Sequence, residues 1–188
     1  MTIEEKYNLY EKLLAEWNEK MNLVSKSTVA DIRKRHIDDS AQLAKYIPPD
    51  KTVVDLGSGA GFPGAVLAIL GYKVIAIESI GKKCMFLETL KQKLSLENLA
   101  IVNDRAENAV PDIIKNAKNG ANFVFVARAL APLSRMLDWT AKTGQRYVLL
   151  KGRGVWDEIA EARRKHRFFI ELYPGETGDG FVIKLTIK

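Results

Sequence analysis

Gly57, Gly59, Gly61 and Gly64, set in the stretch VVDLGSGAGFPG from Val53 to Gly64, are the residues whose spacing points most directly to chemistry. Glycines there admit positive φ and carry no side chain, so backbone N–H groups can come close to a nucleotide-bearing ligand. Glu78 follows Gly57 by 21 residues, a separation at which a carboxylate ending a second strand accepts the ribose hydroxyls of an adenosine. Taken alone, Glu78 also reads as a cap for the next helix. Gly59-Ala-Gly61-Phe-Pro-Gly64 formally satisfies the G-x-G-x-x-G spacing of dinucleotide binders. In that fold the first glycine follows the strand directly; here that residue is Gly57, and counted from Gly57 the spacing fails at Phe62. Asp55, beside the loop, is awkward for a pyrophosphate and suits a ligand carrying an ammonium and a sulfonium, as S-adenosylmethionine does.

Such a loop needs a strand before it and a helix after it. Thr52, Val53, Val54 and Leu56 supply a short β-branched and apolar run suited to a parallel strand buried on both faces. Phe62 and Pro63 open the following helix, Ala65–Leu70 continue it as an apolar segment, and Gly71 ends it. The second strand is Lys73–Ile77. Beyond it the pattern predicts helices near Lys82–Leu94, Asn108–Ala117 and Pro132–Lys142, and strands near Ala100–Asn103, Phe123–Ala127 and Tyr147–Leu150. A charged helix near Val155–His166 follows, and then two strands, Phe168–Leu172 and Phe181–Ile187, joined by a glycine-rich turn. This alternation predicts a doubly wound, mostly parallel α/β sheet with an antiparallel C-terminal edge hairpin. Ile3, Tyr7, Tyr10, Leu14, Trp17 and Met21 recur at helical steps, predicting an amphipathic helix over 3–22; a second helical pattern runs from Thr28 to Tyr46. Pro48-Pro49 marks the junction between an N-terminal helical extension, 1–50, and the cofactor domain, 51–188.

With 188 residues and 47% hydrophobic content, the chain is long enough for a sizeable core. A single cysteine, Cys84, rules out a disulfide framework and a cysteine zinc site, and with only His36 and His166 no metal centre is expected. No stretch is long and apolar enough to span a membrane, and no signal peptide is recognisable, so a cytoplasmic location is expected. The net charge is +6. The excess falls in 51–188, while residues 1–50 carry 8 Lys/Arg against 9 Asp/Glu. Arg33-Lys34-Arg35, Lys82-Lys83 and Arg163-Arg164-Lys165-His166-Arg167 can each line a polyanion track or form a solvated helix face.

The ordered motifs resemble those of class I S-adenosylmethionine-dependent methyltransferases, and among them the RsmG/GidB family, which methylates N7 of a guanine in bacterial 16S (small-subunit) rRNA. Trp17-Asn18 with Met21-Asn22-Leu23, Arg35-His36-Ile37 with Asp39-Ser40, and Val54–Gly64 are similar to that family's signatures. So are Lys82-Lys83 with Phe86-Leu87, Arg105-Ala106-Glu107, Ala127-Arg128-Ala129 with Pro132-Leu133, and Lys151-Gly152. The chain departs from the family pattern in Asn122-Phe123, where Phe-Asp is common, and in Ala41, where leucine is usual. The resemblance implies a Rossmann-like seven-stranded sheet. It implies that Asp55, Gly57, Gly59, Gly61, Phe62, Glu78, Ala106, Glu107 and Arg128 border S-adenosylmethionine, that Arg128 lies where cofactor and substrate meet, and that 16S rRNA or the small ribosomal subunit is the partner.

Guanine N7 has an in-plane lone pair and no proton, so direct methyl transfer needs no general base. Arg128 and Lys151 are therefore the substrate-positioning candidates, gripping O6, a phosphate or the cofactor carboxylate while leaving N7 free; Lys151-Gly152 also reads simply as a strand end. His36 and Asp39 are expected in structural or substrate-positioning roles. Phe62 is the better candidate for stacking on a base, and Trp156 is expected in helix packing. An NAD-dependent oxidoreductase is the formal competitor and a noncatalytic cofactor-binding RNA-associated protein the third reading. A monomer is expected.

Overall fold

The architecture is that of a computed structural model describing residues 1–116, 123–140, 146–178 and 180–188. Strand β1 (Thr52–Leu56) lies mid-sheet, parallel to β2 (Lys73–Ile77) on one side and to β4 (Phe123–Arg128) on the other. With β3 (Leu99–Val102), β5 (Arg146–Lys151), β6 (Phe168–Pro174) and β7 (Phe181–Ile187), the spatial order is β3-β2-β1-β4-β5-β7-β6. Only β7 runs against its neighbours, pairing antiparallel with β5 and β6. The expected mostly parallel seven-stranded sheet with an antiparallel C-terminal hairpin is thus observed. Strand order reverses between β1 and β4, which opens a crevice at their carboxyl ends, where open α/β sheets bind ligands.

Alternate side chains of each strand feed two cores. Val53, Val74, Val124, Val126 and Val148 face one layer with α1 (Ile3–Asn18), α4 (Gly64–Ile69) and α5 (Gly81–Leu94). Val54, Ile77, Phe125, Tyr147 and Leu149 face the other with α6 (Ala106–Lys115), α7 (Leu133–Thr140) and α8 (Val155–Ala162). Burial on both faces accounts for the near-continuous apolar strands. The expected helix ends at Ala117 and Lys142, and Asn122, lie outside the described residues.

The N-terminal region departs from its predicted regularity. Thr2 and Glu5 form a reciprocal capping box at the start of α1, but the helix stops at Asn18, short of residue 22. Asn18 Oδ1 accepts the N–H groups of Leu23 and Val24 at 2.8 and 2.9 Å and turns the chain there. In place of one helix over 28–46 come α2 (Lys26–Val29), a π-helical turn (Arg33–Asp38), α3 (Asp39–Ala41) and a 3₁₀ stretch (Gln42–Tyr46). Side chains compete for the backbone in this segment: Ser40 Oγ donates to the His36 carbonyl at 2.6 Å and Gln42 Nε2 to the Asp39 carbonyl at 2.9 Å.

Candidate functional site

The carboxyl end of β1 delivers the chain into the glycine loop, where Gly57 and Gly59 adopt φ of +67° and +59°. A side chain on Gly57 would overlap Leu130, which packs over the loop from the segment after β4. The loop is closed by backbone bonds from Ser58 N–H to the Ile77 carbonyl and from Gly61 and Phe62 N–H to the Ser58 carbonyl, at 2.9, 2.8 and 3.0 Å. Glu78, just past β2, anchors it from the side: Oε2 accepts Gly59 N–H and Oε1 accepts Ile80 N–H, each at 2.8 Å. Its two oxygens retain acceptor capacity for ribose hydroxyls.

Asp55 lies wholly buried beneath the loop. Its Oδ2 accepts Gly64 N–H at 2.9 Å and the Ser58 hydroxyl, whereas Oδ1 has no hydrogen-bond partner among the described residues. Burial pushes its carboxyl up to about 6 against the hydrogen bonds from Ser58 and Gly64. Near neutral pH a largely ionised, half-satisfied carboxylate therefore lies under the loop, an arrangement that favours a cationic ligand over a pyrophosphate.

Arg128 closes the opposite side. One terminal nitrogen donates to the Arg35 carbonyl at 3.0 Å, the other to His36 Nδ1 at 2.7 Å, and Asp39 Oδ2 lies 3.6 Å away. The guanidinium also covers the Phe62 ring at 4.8 Å. His36 stacks on Phe62 at 5.1 Å, and Tyr10 stacks on it at 5.2 Å, leaving Phe62 only 4% exposed. Accepting from Arg128 fixes the His36 tautomer, with Nδ1 bare and Nε2–H donating to Thr28 Oγ1 at 2.9 Å. Burial, reinforced by Arg128 and Arg35, lowers the ring's pKa to about 4. A neutral imidazole with both nitrogens engaged is not a free base.

These groups border a cavity of about 1040 Å³. Of the residues singled out from sequence, His36, Asp39, Gly57, Gly59, Phe62, Glu78, Arg128 and Lys151 line it; Asp55 and Gly61 lie behind its wall. Gly61, at φ +93°, makes room for Tyr10 and Ala65. Ala106 and Glu107 start α6 and do not line the cavity; Ala106 is buried in the second core, and Glu107 accepts from Arg105 Nε at 2.8 Å. Lys151 Nζ donates to the Ala131 carbonyl and to Glu158 Oε2, both at 2.7 Å, and the same Glu158 oxygen accepts Leu133 N–H at 2.8 Å. Lys151 thus ties down the segment after Arg128, in which Ala129 takes a positive φ of 51°.

Ala129 and Pro132 stand in the sequence only as parts of a motif with no site role, and Leu130, Ala131 and the β6–β7 turn carry none either, yet all contribute to the cavity wall. The turn's glycine content is plain in the sequence, but no local signal ties it to a glycine loop more than 100 positions earlier. Phe62 lines the cavity but its ring is enclosed, while Trp156, expected in helix packing, is 59% exposed and edge-on to Phe181, a cavity residue. Among the basic clusters, Arg35 and Lys83 line the cavity. Arg33 is paired with Glu4 and Glu11, and Lys165 and His166 with Asp138. No group of three or more His, Cys, Asp or Glu among the described residues is placed to hold a metal.

Residues 3–171 match the family model described as rRNA small subunit methyltransferase G. The chain is 43% identical over 178 residues to the ribosomal RNA small subunit methyltransferase G of Orientia tsutsugamushi (strain Ikeda), covering 93% of this chain and 85% of that one. It is 39% identical over 186 residues to the protein of the same description from Gluconobacter oxydans (strain 621H), covering 95% and 90%. An O-methyltransferase from Bacillus cereus, solved in complex with SAH, shares the fold at a TM-score of 0.62 and 16% identity, covering 95% of this chain and 90% of its own. An rRNA methylase from Streptococcus thermophilus shares it at 0.55 and 18%, covering 80% and 93%.

Proposed function

The chain belongs to the rRNA small subunit methyltransferase G family, and from that premise we propose that its cavity transfers a methyl group from S-adenosylmethionine to N7 of a guanine in 16S rRNA. The observation that carries the choice of cofactor is Asp55, buried beneath the glycine loop with one oxygen unpartnered, since Glu78 at the ribose position would serve a dinucleotide as well. That charge arrangement opposes a dinucleotide's pyrophosphate and suits an ammonium and a sulfonium.

When bound, S-adenosylmethionine supplies a methyl group made electrophilic by its sulfonium. Guanine N7 carries a lone pair and no proton, so accepting that methyl group would call on no acid or base from the chain. The neutral, doubly engaged His36 is in keeping with that economy. What the chain contributes is alignment, worth on the order of 7–11 kcal/mol in well-oriented reactions. Glu78 and the backbone of Gly57 and Gly59 hold the adenosine and methionine side, with Asp55 setting the loop from beneath. Arg128 has N–H groups beyond the two used by Arg35 and His36, and these hold O6, a phosphate or the cofactor carboxylate. Lys151 acts through the segment Ala129–Pro132 that it fixes. Arg35 and Lys83 supply positive charge at the mouth for the rRNA backbone.

No helix among the described residues is long and apolar enough to cross a membrane, and an rRNA substrate supports work in the cytoplasm. Transfer of tritiated methyl groups to undermethylated small subunits, with the modified atom mapped, tests the reaction, and calorimetry with S-adenosylmethionine and NAD tests the cofactor. Label at a guanine N7 and heat only with S-adenosylmethionine are expected. Label on another atom, no transfer to any RNA, or binding of NAD instead overturns the reading.

A further inference from the structure

Four residues of the β6–β7 turn line the cavity: Gly175, Thr177, Gly178 and Gly180. The turn is fastened to the N-terminal extension across more than 130 positions of sequence. Glu176 N–H donates to Gln42 Oε1 at 2.9 Å, and Thr177 Oγ1 donates to Asp39 Oδ1 at 2.6 Å. Gln42 Nε2 in turn donates to Asp39 Oδ1 at 2.9 Å. The other Asp39 oxygen, Oδ2, faces the Arg128 guanidinium at 3.6 Å. One carboxylate is thus shared between the turn and the arginine.

Its surroundings favour coupling over a surface contact. The Asp39 and Arg128 side chains are 24% and 18% exposed, so their attraction is screened less than that of the open Lys45–Glu176 pair, at 61% and 50%. The turn is also shaped for close approach: a Cβ on Gly180 would stand 2.7 Å from the Lys151 carbonyl and one on Gly175 3.0 Å from the Gly180 carbonyl. With no side chain at either glycine, the turn closes on itself and seats directly against the end of β5, which fixes its place in the cavity wall.

We propose that Asp39 is a positioning residue for methyl transfer, coupling the β6–β7 turn through Thr177 to Arg128, so that the target guanine is received between a turn and a guanidinium held in fixed relation. The inference rests on the methyltransferase reading above.

Single-turnover transfer to undermethylated small subunits in Asp39→Asn, Thr177→Val, Thr177→Ser and the double variant Asp39→Asn/Thr177→Val tests it, with the cofactor Kd and Tm measured alongside. The first two variants are expected to slow transfer about 10- to 100-fold, with cofactor Kd within about twofold of the parent. Thr177→Ser restores the rate, and the double variant is no slower than the worse single one. Single-variant rates within about twofold of the parent, multiplying effects, or a loss confined to cofactor Kd overturns the proposal. Amide exchange at Glu176 keeps the two readings apart. If the parent methylates no RNA, the methyltransferase reading fails, and coupling is decided by whether Asp39→Ala speeds that exchange about tenfold, as expected, or leaves it unchanged, which overturns it.

Discussion

Asp55 and His36 respond to burial with opposite consequences for stability. Asp55 has its carboxyl raised from 3.8 to about 6, so between these values the folded chain holds a proton that the unfolded chain has lost, and stability falls as pH rises. His36 is lowered from 6.5 to about 4, so between those values the unfolded chain holds the extra proton, and stability rises with pH. Over about pH 4–6 the two slopes oppose each other. Asp55→Asn removes one of them. Relative to the parent, its Tm is expected to climb between pH 4 and 6 by about 4–8 °C, from about 2 kcal/mol of linkage over that range. Thermal scans of both proteins across that range check it, and parallel curves would show that Asp55 is not the opposing group.

At the scale of elements, α1 is a brace for the glycine loop. Tyr10 donates its hydroxyl to the Ala60 carbonyl at 2.5 Å and stacks on Phe62, while a Cβ on Gly61 would stand 2.5 Å from that hydroxyl oxygen and 2.9 Å from the Ala65 Cβ. Tyr10→Phe leaves a buried carbonyl without its donor and is expected to cost about 1–3 kcal/mol. Gly61→Ala combines crowding with a φ of +93° and is expected to cost about 2–4 kcal/mol. Because the crowding is against the tyrosine oxygen, Gly61→Ala should cost less in the Tyr10→Phe background. A urea double-mutant cycle reads that difference, and strict additivity would separate the loop from the helix. Sequence legibility divides along the same line. Strands Lys73–Ile77 and Phe181–Ile187 are readable to the residue because β-branched runs end at turns. The π and 3₁₀ turns of Arg33–Tyr46 are not, because side-chain bonds of Ser40 and Gln42 to the backbone help shape them. Glycine loop and Glu78 follow from spacing, whereas the bond between Thr177 and Asp39 joins residues 138 positions apart and leaves no periodic trace.

For the whole molecule, the boundary near Pro48-Pro49 divides the sequence without dividing the core. Tyr10, Leu14, Ile37 and Leu43 are fully buried in the same cluster as Val53, Phe62, Phe86 and Leu87. Tyr72, from the body, donates its hydroxyl to the carbonyls of Ala44 and Ile47 at 3.1 and 3.0 Å. Burying each large apolar side chain contributes about 1.5–3 kcal/mol, so the four from the extension together approach the roughly 5–15 kcal/mol net stability of a typical domain. The extension is therefore expected to fold with the body as one unit. The full chain should unfold in a single calorimetric transition, and residues 51–188 alone should bind a hydrophobic dye and show no cooperative transition. That fragment would expose the Phe62 and Phe86 faces covered by α1 and would lose the Arg35 carbonyl, His36 and Asp39 that hold Arg128. Adding S-adenosylmethionine to it should accordingly produce no rise in Tm, whereas the full chain should gain stability with ligand concentration by mass action. A fragment that melts cooperatively and is stabilised by the ligand would make the extension an RNA-facing accessory instead of a wall of the cofactor site.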